Sequence, residues 1–139
     1  MVIKTALQED YSFTAVDDYN TRMYILPHLL DEQRRKELIS EHKNNPLYRP
    51  TQPGEPAPIY SRALARLVDK LRVLPTAGKQ VIVETEKDKE YSIGLLPTSR
   101  GGEIVFTDEK YSTRGDAEHA IFLKRLKALM REYKLDVNW

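Results

Sequence analysis

At Gly78 the apolar pattern of this chain changes period, and that change limits the folds open to it more than any other feature. Upstream, Tyr60, Ala63, Leu64, Leu67, Val68 and Leu71 recur every three or four residues, while Arg62, Arg66, Asp69, Lys70 and Arg72 take the opposite face. That is the spacing of an amphipathic helix. Downstream the period is two. Gln80-Val81-Ile82-Val83-Glu84, Tyr91-Ser92-Ile93-Gly94-Leu95-Leu96 and Glu103-Ile104-Val105-Phe106-Thr107 are short β-rich runs separated by turn-sized breaks, which predicts a three-stranded antiparallel meander. Such a sheet has an apolar face to hide. A C-terminal helix from about Gly115 to Lys134 supplies the cover through Phe122, Leu123, Leu126, Leu129, Met130 and Tyr133, with Thr113 and Asp116 forming a capping box at its start.

The first half is less regular. Asp31 is a candidate N-cap for a helix that runs through His42 and stops at Asn44-Asn45-Pro46. Its apolar stripe is thin, with Leu38, Ile39 and the flanking Leu30 alone strongly apolar, so it is expected at an edge. Residues 46–58 carry five prolines and Gly54, the composition of an extended connector. Over residues 1–30, Tyr11, Phe13, Tyr19, Tyr24 and Ile25 follow neither a helical nor a strand period and Pro27 interrupts the most apolar part, which reads as an extended arm. The expected fold class is therefore α+β: an N-terminal extended arm, two helices, and a three-stranded antiparallel β-meander covered by a C-terminal helix. Residues 31–139 form one small domain with the proline-rich connector 46–58 inside it, and 139 residues suffice for one core.

Composition removes several functions. Lysine plus arginine is 22 against 21 acids, a net charge of +1, so no large field draws in nucleic acid or an anionic membrane. The absence of cysteine excludes disulfides, thiolate metal sites and a thiol nucleophile, and fits a reducing compartment. With no signal-like start and no apolar run near 18 residues, the expected location is cytoplasmic and no membrane partner is expected. Zinc, calcium, phosphate-loop and nucleophile-elbow signatures are missing as well.

Of the three histidines, His119 lies three residues after Asp116 and beside Glu118, a spacing that shares a helix face in carboxylate-bridged metal sites. The simpler reading is a helix start whose acids complement the macrodipole. Glu41 and His42 are consecutive and point about 100° apart on a helix, so they form no chelate with each other. His28, beside Pro27, has no nameable partner for base catalysis. A meander could also read DNA, but the acids Glu84, Glu86, Asp88, Glu90, Glu103, Asp108 and Glu109 crowd its strands and would repel phosphate.

The most distinctive segments are Arg34-Arg35-Lys36-Glu37, Glu41-His42-x-x-Asn45-Pro46, Leu74-Pro75-Thr76-Ala77-Gly78-Lys79, Glu90-Tyr91-Ser92-Ile93 and Thr113-x-x-x-Ala117-x-His119-Ala120-x-Phe122-Leu123-x-Arg125. In this order, over about residues 34 to 131, the chain resembles the small subunit of bacterial N,N-dimethylformamidase, an amidohydrolase of large and small polypeptides. The resemblance implies that a mononuclear iron, held by tyrosine and glutamate, sits on the large subunit. It implies no catalytic residue, no metal ligand and no cofactor on this chain, so none of its eight tyrosines is assigned to iron.

The aromatic surface outside the expected core stripes is then a seam for a large catalytic partner in an obligate hetero-oligomer. Tyr11, Phe13, Tyr19, Tyr24, Ile25, Leu38 and Ile39 are the residues expected to form it. A sheet-based DNA-binding or regulatory module is the alternative function.

Overall fold

The structure, a computed structural model, describes residues 13–45, 59–73 and 78–135. Residues 13–30 are helical rather than extended. Helix α1 (Phe13–Asn20) runs into a π-helical turn (Thr21–Ile25) and on into α2 (Leu26–Leu30). The Leu26 N–H donates to the Thr21 carbonyl, five residues back, and the fully buried Thr21 hydroxyl donates to the Asp17 carbonyl at 2.8 Å. This widened turn re-phases the helix, which is why its apolar residues follow no single period. Thr21, Ile25, Leu26 and Leu29 all become buried. Pro27 stands in the first turn of α2, where a missing N–H is tolerated. Residues 1–12, Tyr11 among them, and the proline-rich 46–58 lie outside the described residues.

Helix α3 (Glu32–Asn44) starts at Asp31, whose carboxylate accepts from the Arg34 N–H at 3.1 Å. Helix α4 (Arg62–Arg72) is capped by Ser61. Strands β1 (Gln80–Glu86), β2 (Glu90–Leu95) and β3 (Val105–Tyr111) form the expected meander, in order β1-β2-β3 and antiparallel throughout. The first turn uses Asp88 at φ +60, a conformation aspartate tolerates, and the Glu84 side chain accepts its N–H at 2.7 Å. The third strand lies further along the chain than its apolar pattern indicated. The β2–β3 register shifts between Ser92 and Gly94, and a Cβ on Gly94 would stand 2.6 Å from an Ile104 methyl. Pairing therefore starts at Val105 opposite Leu95 and continues to Tyr111 opposite Tyr91, through polar residues that a one-sided sheet exposes.

Helix α5 (Arg114–Glu132) begins at Thr113, whose hydroxyl accepts from the Asp116 N–H. It covers the sheet, yet its broadest apolar face goes elsewhere. Phe122, Leu126, Leu129 and Met130 join Leu64, Leu67 and Leu71 of α4, Leu38 of α3, and Ile25, Leu26 and Leu29 in one interhelical core. The buried Ala117 and Ile121 lie on the side of α5 that reaches the strands through Lys124 to Glu109 and Arg125 to Gln80. So α5 is shared between two layers. No helix among the described residues is long and apolar enough to cross a membrane.

Candidate functional site

Helix α3 has too few aliphatic residues to fill its inward face, and two polar side chains complete it. Arg35, Leu38 and His42, at intervals of three and four, are its buried positions. Arg35 is 4% exposed, and its Nη1 donates to the Leu29 carbonyl at 2.8 Å, satisfying the end of α2. His42 is 3% exposed and faces α5. There its Nδ1 lies 2.8 Å from Nδ1 of His119, so one ring donates and the other accepts. The His42 ring stacks on Phe122 at 3.9 Å between centroids and 10° between planes, with Tyr60 at 6.1 Å.

Burial favours the neutral form of both imidazoles. The His42 pKa falls from 6.5 to about 4, through desolvation first and the neighbouring His119 second. The His119 pKa is also lowered, by desolvation and then Lys43, with Asp116 opposing. Tyr60, raised mainly by burial, donates its hydroxyl to the Asn45 carbonyl at 2.9 Å.

The residue next to His42 does different work. Both carboxylate oxygens of Glu41 accept from Ser61, one from its hydroxyl at 2.6 Å and the other from its N–H at 2.7 Å. Ser61 in turn accepts from the Leu64 N–H. Asn45 Nδ2 donates to the Glu41 carbonyl at 2.9 Å. Glu41, His42 and Asn45 thus clasp the end of α3 to the start of α4 and the middle of α5, and His119 and Phe122 are the receiving side. Beside this junction opens a cleft of about 530 Å³ between α4, β1 and α5, with His42 and Phe122 on its wall.

The residues singled out from sequence separate into three groups. Ile25 and Leu38 belong to the chain's own core, and Ile39 is half-buried against it. Tyr19 and Tyr24 are exposed, Tyr24 with the Arg66 guanidinium 4.7 Å over its ring, and Phe13 opens α1. Asp116 and His119 do not become a metal centre together: His119 turns its Nδ1 to His42, and no group of three or more His, Asp or Glu side chains able to hold a metal occurs among the described residues. Sequence reasoning missed the histidine pair. The burial of His42 alone had a signal, the three- and four-residue spacing of Arg35, Leu38 and His42, hidden because only aliphatic residues were counted as stripe.

The segments that converge on this junction are among those that gave the chain its resemblance. A family model described as N,N-dimethylformamidase alpha subunit matches residues 18–136. The chain belongs to this family. It is 34% identical over 97 residues to the N,N-dimethylformamidase alpha subunit of Paracoccus aminophilus, a match covering 69% of this chain and 62% of that relative. It is 32% identical over 114 residues to the alpha subunit from an Alcaligenes species, covering 73% of this chain and 79% of the relative. The chain thus spans about three fifths of the length of the first relative.

Proposed function

We propose that this chain is the non-catalytic small subunit of a hydrolase acting on small N-substituted amides, N,N-dimethylformamide among them, in an obligate complex with a larger catalytic subunit that holds the iron. The family membership supports a role as one subunit among others.

The observation that carries the reading is the concentration of exposed apolar residues along the N-terminal helical run. Val16 and Tyr19 on α1, Met23 in the π-helical turn and Leu30 at the end of α2 are between 44 and 56% exposed. Exposed large apolar groups gathered on one short stretch of chain mark an interaction surface. With Tyr24 they form the seam for the larger subunit, and an obligate interface of this kind buries more than about 2,000 Å² in total.

The test is co-expression of the full-length chain with the larger polypeptide that co-purifies with it from its host. The complex is expected to release dimethylamine from N,N-dimethylformamide, and the chain alone is expected to release none. The double substitution Tyr19→Glu with Met23→Glu is expected to abolish co-elution while leaving the circular dichroism spectrum intact. A monomeric chain that hydrolyses the amide unaided, or a double variant that assembles as well as wild type, would refute the reading.

A further inference from the structure

The half-buried cations of this protein are not treated alike. Lys70 has the Asp17 carboxylate and Lys124 has that of Glu109. Arg125, half-buried on α5, donates its Nη2 to the Gln80 backbone carbonyl at 2.9 Å and its Nε to the Gln80 side-chain oxygen at 3.4 Å. Both acceptors are neutral. Of the five guanidinium N–H groups, the other three have no protein acceptor among the described residues. A tie between α5 and β1 needs no charge, and removing part of the hydration of a cation is costly unless an anion compensates. Burial indeed lowers the pKa of this guanidinium.

Arg125 lines the cleft beside the histidine junction. Arg72, Lys79 and Arg114 line it too, against one carboxylate, Glu118, among the described lining residues. Lys79 Nζ also donates to the Arg72 carbonyl at 3.1 Å, closing the end of α4. Apart from Gln80 and His42, the remaining wall is apolar, with Leu71, Ile82 and Ile121. A planar anion that offers two oxygens to a guanidinium and a short apolar body to the wall suits this combination.

We propose that the cleft between α4, β1 and α5 binds a carboxylate, with Arg125 as its principal anchor. The carboxylate comes either from a small free organic acid or from an aspartate or glutamate side chain of a partner subunit, two sources with one chemistry.

The test uses the full-length chain together with whatever subunit co-purifies with it. Sodium acetate is titrated calorimetrically at constant ionic strength, with sodium chloride as matched control, into wild type, Arg125→Gln and Arg125→Lys. A free acid as ligand predicts saturable acetate binding that weakens at least tenfold in Arg125→Gln and less in Arg125→Lys. A partner side chain as ligand predicts no acetate binding by the complex, and association of the Arg125→Gln chain with its partner at least tenfold weaker in sedimentation velocity. Acetate binding and association both within twofold of wild type overturn the proposal and leave Arg125 as a tie between helix and strand. If circular dichroism shows Arg125→Gln unfolded, the exposed Arg72→Ala is read by the same two measurements. About threefold weakening in one of them is expected, and no change in either overturns the proposal. Acetate binding can be read with or without a partner present, so its failure is separable from failure of the subunit assignment.

Discussion

Lowering the pH from 7 to 5 should weaken this fold through His42. The ring is neutral and 3% exposed in the folded chain, with a pKa near 4, whereas in the unfolded chain it titrates near 6.5. At pH 5 the unfolded state has therefore taken up a proton that the folded state has not, and stability falls as pH falls. The loss begins near pH 6.5 and is complete below about 4. At ~1.4 kcal/mol per pH unit across the interval between the two pKa values, the drop from pH 7 to pH 5 is about 2 kcal/mol. That window lies above the range in which ordinary carboxylates titrate, so the acids contribute little to it.

The assay is urea unfolding of the full-length chain followed by far-ultraviolet circular dichroism at pH 7, 6 and 5. His42→Asn keeps a hydrogen-bonding atom near the place of Nδ1 and removes the titration. It is expected to be about 1–2 kcal/mol less stable than wild type at pH 7, having lost the stack on Phe122. Between pH 7 and pH 5 it should lose at least about 1 kcal/mol less than wild type, half the drop expected of the wild-type chain. The His119 pKa is lowered too and supplies what pH dependence remains. Equal losses in wild type and His42→Asn would refute the reasoning and place the proton uptake elsewhere.

Glu41→Ala removes the carboxylate that accepts both the hydroxyl and the N–H of Ser61. It should cost about 1–2 kcal/mol in chemical unfolding, with Glu41→Gln in between. Leu67→Ala empties a fully buried site in the interhelical core and should cost about 2–5 kcal/mol, read as a lower thermal midpoint. Thr113→Ala deletes the hydroxyl that caps α5 and should cost about 1 kcal/mol.

How much of this was readable beforehand depended on whether a contact was local. Asp31 and Thr113 cap the helices whose starts they marked, because capping joins residues three apart. The meander followed from period-two runs with short turns. The helical run 13–30 was hidden by the turn at Thr21–Ile25, which inserts a phase shift into a 3.6-residue pattern, and by Pro27, which reads as a breaker unless the widened turn before it is known. Counting aliphatic residues also made α3 look half-exposed, since Arg35 and His42 are buried only by virtue of partners on other elements. The histidine pair joins positions 77 residues apart. No periodicity carries that information.

One consequence follows from α5 belonging to both layers. It is the last of the described elements along the chain, and everything it closes has been synthesised before it. A nascent polypeptide that ends before Arg114 has made Leu64, Leu67 and all three strands without the surface that seals them. At roughly 5–20 residues per second on the ribosome, that leaves a window of seconds in which the apolar faces of α4 and of the strands are made and still uncovered.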